Sequence, residues 1–315
     1  MFKKFSTTTL IIIIVLLGAL VAFDKLYLEK KSESTFSDQF VKIDSAAVKQ
    51  ISIYPKAEKG KEIKIIKGAK GWELQNDKVK TVPDSMSVVG LIKSFADIKS
   101  NALVATDKSG WEEYKVDDTS GTRIKFTMAD GKTYDMIVGK FGYNQATRSG
   151  TTYIRHADDE NVYAIDGFLS MSVNRPFSSW RNRTFISGDN HNWNKLTFSY
   201  LAGNSFVLER SGNTWLVNGQ PADSAKVIQY LNRLSHMSNG NFADQYTPSS
   251  TPVYSLTIEG NNQPAPITVV AYPADSIQKF ILHSSLNNDA YFSDKGSNIT
   301  QQVFVGSDSF LKEEK

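Results

Sequence analysis

The feature that most constrains the fold of this chain is an internal repeat. Two dipeptides, Asp84-Ser85 and Asp223-Ser224, each precede a run of apolar residues spaced for one face of a helix. A carboxylate at the start of a helix accepts a hydrogen bond from a backbone N–H that has no partner within the helix. Each Asp is therefore predicted to be the N-cap of its helix.

Strand-like apolar segments flank the two predicted helices in the same order. The first half contains Ile51–Tyr54, Ile63–Ile66 and Gly71–Leu74 before the helix, then Arg123–Thr127, Tyr134–Val138, Thr152–His156 and Asn161–Ile165. The matching segments of the second half are Leu196–Tyr200, Phe206–Leu208, Thr214–Val217, Tyr254–Ile258, Ile267–Ala271, Lys279–His283 and Asp289–Ser293. This alignment places His156 at the position of His283, and Trp72 at that of Trp215. Both tryptophans are predicted to fill the gap between helix and sheet.

The repeat predicts an α+β fold in which two tandem repeats each pack one helix on a mostly antiparallel sheet. An N-terminal transmembrane helix is expected to precede them. The predicted domains are a membrane anchor over residues 1–23, a stalk over 24–46, a first α+β repeat over 47–186 and a second over 187–315.

The predicted anchor lies at the N-terminus, where Leu10 to Phe23 form an uncharged apolar run. A helix from Thr7 to Phe23 would be about 25 Å long, close to the thickness of a bilayer core. Lys3 and Lys4 precede the run, as in a secretory signal or an uncleaved signal anchor. The uncleaved anchor is favoured, because Leu20 is a poor match to the small residue that a cleavage site requires. The bulk of the chain would then lie in the periplasm, held by a single-pass helix in a bacterial inner (cytoplasmic) membrane.

The composition excludes several functions. The chain has no cysteine, so disulfides, thiolate zinc sites and cysteine nucleophiles are impossible. Its 36 basic and 33 acidic residues argue against a dedicated nucleic-acid-binding protein. The four histidines do not have the spacing of a helical zinc motif, and no Gly-x-Ser-x-Gly or phosphate-binding loop occurs. Asp117-Asp118 and Asp158-Asp159 are interpreted as solvated turns. We therefore expect no catalytic residue, metal or cofactor.

One unusual segment lies at the join between the predicted repeats, where three arginines and three aromatic residues occur between positions 174 and 185. Arg and Trp are enriched at protein interfaces. The candidate partner-binding residues are Arg175, Trp180, Arg181 and Arg183. Under the alternative interpretation, Phe177, Trp180 and Phe185 anchor this segment in the domain cores.

Several short motifs resemble those of a bacterial family known as domain of unknown function 4340. They are Gly71-Trp72, the Asp84-Ser85 helix, Gly139-Lys140, Tyr153-Ile154, Val162-Tyr163 and Trp180-Arg181-Asn182-Arg183. The resemblance implies a membrane-anchored extracytoplasmic protein, encoded beside ABC transporters of the gliding-motility type in Bacteroidetes-like bacteria. It implies no catalytic residue. The chain departs from the family pattern at Glu113–Val116, where the usual turn glycine is missing.

These observations lead us to expect a non-enzymatic accessory protein of the cell envelope. Its expected partners are the lipid bilayer and a membrane protein complex, with ABC-transporter subunits as candidates, and not nucleic acid. One alternative is a carbohydrate- or peptidoglycan-binding module that uses exposed aromatic residues such as Tyr143, Tyr153 or Trp111. The other is a hydrolase with a site between the repeats.

Overall fold

The computed structural model describes residues 39–146, 148–274 and 279–312. The predicted membrane anchor and the part of the predicted stalk before residue 39 lie outside the described residues. Within the described ranges, no helix is both long enough and apolar enough to cross a membrane.

The first large sheet contains nine strands and is mostly antiparallel. Its strands are β2 (Val48–Tyr54), β3 (Ile63–Gly68), β4 (Gly71–Gln75), β5 (Lys80–Thr81), β7 (Ala102–Ala105), β8 (Thr122–Met128), β9 (Thr133–Asn144), β10 (Ser149–His156) and β11 (Val162–Asp166). They are arranged in the order β5-β4-β3-β2-β8-β9-β10-β11-β7. A separate two-stranded sheet pairs β1 (Gln39–Lys42) with β6 (Asp97–Lys99).

The second large sheet contains eight strands, and all neighbouring strands are antiparallel. Its strands are β13 (Trp193–Tyr200), β14 (Phe206–Ser211), β15 (Thr214–Val217), β16 (Gln220–Pro221), β18 (Tyr254–Gly260), β19 (Ile267–Pro273), β20 (Phe280–Ser284) and β21 (Tyr291–Ser293). Their order is β16-β15-β14-β13-β18-β19-β20-β21. A second two-stranded sheet pairs β12 (Thr184–Ser187) with β17 (His236–Ser238).

The two large sheets follow the same plan, apart from the additional strand β7. In each sheet, the first four strands in the chain lie side by side, and the fourth of them forms one edge. A long helix follows in the chain. The next four strands, which form two hairpins, then extend the sheet on the other side of its first strand. The predicted α+β class with mostly antiparallel sheets is confirmed. Every segment predicted as a strand lies wholly or largely within one.

The two long helices are α1 (Ser85–Ala96), between β5 and β6, and α4 (Ser224–Leu234), between β16 and β17. Asp223 accepts hydrogen bonds from the backbone N–H groups of Ala225 and Lys226. Asp84 does the same for Met86 and Ser87. The predicted N-caps are therefore confirmed. The helical spacing of apolar residues predicts that the two helices continue to Ile98 and Met237, but these residues lie in the short strands β6 and β17.

Three shorter helices complete the described chain: α2 (Trp111–Tyr114), α3 (Leu169–Val173) and α5 (Ile299–Val303). Short 3-10 helices at Phe177–Trp180 and Ser307–Phe310 follow α3 and α5.

The described residues divide into two compact units. One is drawn from residues 39–48, 91–125, 129–146 and 148–173, and the other from 49–90, 126–128, 174–274 and 279–312. In the second unit, Trp215 belongs to a buried cluster with Val227 and Leu231 of α4, as predicted. Trp72 occupies the corresponding strand position, but it is only half-buried and lies beneath the Lys67 ammonium group. The prediction for Trp72 is wrong, because its side chain is not enclosed.

Candidate functional site

We call residues 174–185 the arginine-rich segment. It contains the 3-10 helix Phe177–Trp180, which is hydrogen-bonded to the start of α1, the first long helix of the chain. The carbonyl of Trp180 accepts a 2.7 Å hydrogen bond from the backbone N–H of Asp84, the N-cap of α1. The backbone N–H of Phe177 donates to Glu58 Oε1 at 2.8 Å. Trp180 is 1% exposed and Phe185 is fully buried. The segment therefore closes a core at the N-terminus of a helix.

An equivalent hydrogen bond between a 3-10 helix and an N-cap residue occurs in the second half of the chain. The carbonyl of Phe310 accepts a 2.8 Å hydrogen bond from the backbone N–H of Asp223, the N-cap of α4. Phe310 ends a 3-10 helix, as Trp180 does, and is also 1% exposed. Trp180 and Phe310 therefore occupy corresponding positions, and the segment around Trp180 has the same packing role as the end of the chain.

Arg181 is buried and holds a distant segment of the chain. Its Nη1 lies 2.7 and 2.8 Å from the two carboxylate oxygens of Asp244. Its guanidinium carbon lies 3.5 Å from the centre of the Phe242 ring, a cation–π contact. Only 2% of Arg181 is exposed, and its Nε and Nη2 groups form no hydrogen bond within the described residues. Buried donors of this kind are costly, so the ion pair and the ring contact must offset their desolvation.

The other two predicted arginines differ in exposure. Arg175 is half-buried, lies over the Trp180 ring at 4.5 Å and donates to the Ser179 carbonyl at 2.6 Å. Burial lowers the pKa of its guanidinium, the nearby Arg183 lowers it further, and Asp84 opposes both effects. Arg183 is exposed. The structure thus packs Arg175, Trp180 and Arg181 together and leaves Arg183 facing solvent. Partner binding by these four residues remains a prediction.

A cluster that the sequence did not reveal lies in the second unit. It consists of Tyr246, Tyr272, Tyr291 and His283, and we call it the tyrosine patch. The Tyr246 ring lies 5.3 Å from that of Tyr291 and 5.8 Å from that of Tyr272, measured between ring centres. His283 lies 5.0 Å from Tyr291. All four side chains are half-buried.

Strand register explains why these residues meet. His283 of β20 lies opposite Val270 of β19 and Tyr291 of β21, and Tyr272 is two residues beyond Val270. Side chains alternate between faces along a strand, so His283, Tyr272 and Tyr291 share one face. The other face of these strands carries the buried residues Val269, Leu282 and Phe292. The tyrosine patch therefore lies on the face of the sheet that does not form the main core.

Tyr246 reaches the patch from the connection between β17 and β18. Its hydroxyl is buried and forms no hydrogen bond in the described part of the chain. Burial raises the pKa of Tyr246 and of Tyr272, and their proximity to the neighbouring tyrosines adds to this effect. Both phenols therefore remain protonated at neutral pH and keep a hydrogen to donate.

The structure corrects the alignment of the histidines. Arg155 lies opposite Ile137, and His283 lies opposite Val270, the residue that the predicted alignment matches to Ile137. His283 therefore corresponds to Arg155, and His156 corresponds to Ser284. The contacts of His156 and Ser284 agree with this correspondence, because each side chain meets a carbonyl of the equivalent short strand. His156 Nε2 lies 3.2 Å from the carbonyl of Phe40 in β1, and Ser284 Oγ donates to the carbonyl of Phe185 in β12. The predicted equivalence of the histidines is wrong by one residue, which changes the face of the sheet.

In the first unit, Arg155 is the centre of a packed polar cluster. It is 1% exposed, lies 3.7 Å from the centre of the Trp111 ring and donates to Asp118 Oδ1 at 3.1 Å. The neighbouring Asp117 accepts hydrogen bonds from Thr119 and Ser120. Partial burial opposes ionisation, but these hydrogen bonds outweigh it and lower the pKa of Asp117 to about 2. Asp117 therefore stabilises a turn, and the adjacent Asp118 pairs with Arg155.

The aromatic residues considered for sugar stacking are placed differently from one another. Trp111 contacts the Arg155 guanidinium, and Tyr153 packs on Tyr114 with ring centres 4.6 Å apart. Tyr143 is 54% exposed. Among residues 39–146, 148–274 and 279–312, no group of three His, Asp or Glu side chains is placed to hold a metal ion.

Comparison with known proteins identifies one family. No curated protein and no solved structure matches the chain. The family described as "Domain of unknown function (DUF4340)" matches residues 81–257, which are more than half of the chain. The matched region contains both long helices and the arginine-rich segment. The chain therefore belongs to the DUF4340 family.

Proposed function

We propose that this protein is a non-enzymatic accessory protein that docks onto a membrane protein complex of the bacterial cell envelope. In this proposal, residues 1–23 form a single helix in the cytoplasmic membrane. Two tandem α+β repeats then project into the periplasm. The uncharged apolar run from Leu10 to Phe23 and the preceding lysines support the anchor.

The tandem arrangement is supported by the matching strand orders of the two large sheets. Two buried aromatic residues, Trp180 and Phe310, give independent support, and we call them the closing aromatic residues. The backbone carbonyl of each accepts an equivalent hydrogen bond from the N-cap residue of the preceding long helix. One fold unit used twice supplies two large sheets on which a binding surface can be built.

The observation that carries the docking proposal is the tyrosine patch. Three half-buried tyrosines and a histidine lie together on the sheet face opposite the main core. Tyrosine is enriched at protein interfaces because it combines a large apolar ring with a hydrogen-bonding group. The buried Tyr246 hydroxyl has no partner among the described residues, so a docked protein could supply one.

Membrane anchoring would strengthen a weak contact. A partner in the same membrane is met at a high effective concentration, because tethering confines both proteins to one surface. We therefore propose a partner that is itself a membrane protein. The resemblance to gliding-motility-type transporter accessory proteins makes the permease of an ABC transporter the first candidate.

Co-purification from detergent-solubilised membranes tests this proposal. The full chain should retain the permease, and the double substitution Tyr272→Ala and Tyr291→Ala should reduce its recovery about tenfold or more, as expected for the loss of interface anchors. Tyr143→Ala is the matched control, because it removes an exposed tyrosine from the other compact unit.

The control should leave recovery unchanged. Equal recovery with all three proteins would contradict docking through the tyrosine patch. Failure of the unsubstituted chain to retain any membrane protein would contradict the docking function itself.

A further inference from the structure

A second surface in the same unit has the chemistry of a ligand site. A groove of about 580 Å³ lies beside the C-terminal half of α4, bordered by the connection between β12 and β13. A smaller hollow of about 180 Å³ shares Asn190, His191 and Asn232 with it. We call the two together the amide groove. It shares no residue with the tyrosine patch.

Several polar side chains of the amide groove are oriented by one hydrogen bond each and keep other donor or acceptor atoms that have no partner among the described residues. Asn190 Nδ2 donates to Asn232 Oδ1 at 2.6 Å, which leaves the Asn232 amide hydrogens and Asn190 Oδ1 without a partner among the described residues. His236 Nδ1 lies 2.8 Å from the Oγ atom of the buried Ser235, and Nε2 has no hydrogen-bond partner in the part of the chain that the structure describes. The ring of His191 forms no hydrogen bond within the described ranges. The groove therefore offers both amide groups, which donate and accept, and imidazole nitrogens.

The electrostatics of the amide groove disfavour an anion. The larger part of the groove lies at the C-terminal end of α4, where helix carbonyls carry partial negative charge, whereas Ser224 at the N-terminal end borders the smaller hollow. The Asp189 carboxylate adds a full negative charge and is held by the backbone N–H of His191 and by Asn192. Arg210 borders the smaller hollow, but its guanidinium donates to the carbonyls of His191 and Gly212. A neutral ligand that both donates and accepts hydrogen bonds fits this field best.

The smaller hollow adds apolar surface to these polar groups. Trp215 and Leu231 line it, together with Ile228, which is 54% exposed. An apolar floor beside a few oriented polar groups is the usual composition of a small-molecule site. Sugar rings present both kinds of surface, since their hydroxyls pair with amides and imidazoles while their C–H faces contact apolar side chains.

We infer that the amide groove binds a neutral oligosaccharide. Asn190, Asn232 and His236 pair with its hydroxyl or amide groups, and the exposed Ile228 contacts its apolar face. This inference does not depend on the proposed docking function, because the two surfaces have no residue in common. In a periplasmic protein it would add contact with a glycan to contact with a membrane partner.

Titration of the full chain in lipid nanodiscs with chitotetraose, a neutral tetramer of N-acetylglucosamine, tests the inference. Calorimetry and saturation-transfer NMR should detect binding. Asn232→Ala should weaken it about tenfold, because the substitution removes the hydrogen bonds between Asn232 and the ligand and also the contact that positions Asn190. Gln229→Ala is the matched control, since Gln229 is exposed on the same helix but does not line the groove.

Binding that is unchanged by Gln229→Ala and weakened by Asn232→Ala, with equal unfolding temperatures, would support the site. Tetragalacturonate, an anionic tetramer, should bind at least about tenfold more weakly than chitotetraose. The inference would be overturned if chitotetraose gave no signal up to about 10 mM, a very weak affinity. It would also be overturned if Asn232→Ala had no effect or if the anionic tetramer bound equally well.

Discussion

At the scale of single residues, Arg181 shows how a residue suited to an interface is used inside the protein. Its side chain pairs with the exposed Asp244 and lies over Phe242, both more than sixty positions further along the chain. Those partners are invisible to an argument from local sequence. The composition of the segment identified Arg181 as unusual, but only the tertiary contact explains its burial.

Arg181→Ala should therefore destabilise the protein. The substitution removes a buried guanidinium, its ion pair with the exposed Asp244 and a ring contact, and it leaves a cavity, at a cost of about 3 kcal/mol. The exposed Arg183→Ala should change stability by less than about 0.5 kcal/mol. Thermal unfolding of the two purified variants measures the difference. Equal midpoints would mean that Arg181 is not the structural residue described here.

At the scale of secondary-structure elements, local patterning was sufficient for much of the fold. Alternating apolar residues identified the main strands, and the Asp-Ser dipeptides located both long helices, because these signals arise within a few residues. The short pairs β1–β6 and β12–β17 were not predicted. Each joins a segment before the sheet to a strand directly after the long helix, so its partner is distant in sequence.

The one-residue error in aligning His156 has a similar cause. Two short apolar sequences can be aligned almost equally well after a shift of one residue. The hydrogen-bonded register with neighbouring strands allows no such shift, because it would move every side chain to the other face of the sheet. The tyrosine patch was missed for this reason as well. It is assembled from β19, β20, β21 and a loop, and only their register brings the four residues to one face.

The closing aromatic residues lead to a prediction at the same scale. Phe310→Ala should cost about 3–5 kcal/mol, because it empties a fully enclosed position and leaves a cavity beside α4. Leu201→Ala should cost less than about 0.5 kcal/mol, since 73% of Leu201 is exposed. Chemical denaturation of both variants compares the two costs. Similar midpoints would contradict the role assigned to the 3-10 helix at the end of the chain.

At the scale of the whole molecule, two sheets with the same strand order follow one another in the chain. The two copies of the plan differ at a position on the sheet face opposite the core. At corresponding strand positions, the first sheet has Arg155, which contacts Trp111, and the second has His283, which belongs to the tyrosine patch.

The proposed function requires that the tyrosine patch contact a membrane protein in the cell. Site-specific photo-crosslinking tests it most directly, with benzoylphenylalanine replacing Tyr272 or, as a control, Tyr143 in the full chain. Both replacements keep an aromatic ring. We expect ultraviolet light to give one crosslinked membrane protein from position 272 and none from position 143. No product from position 272, or the same product from both positions, would contradict the claim.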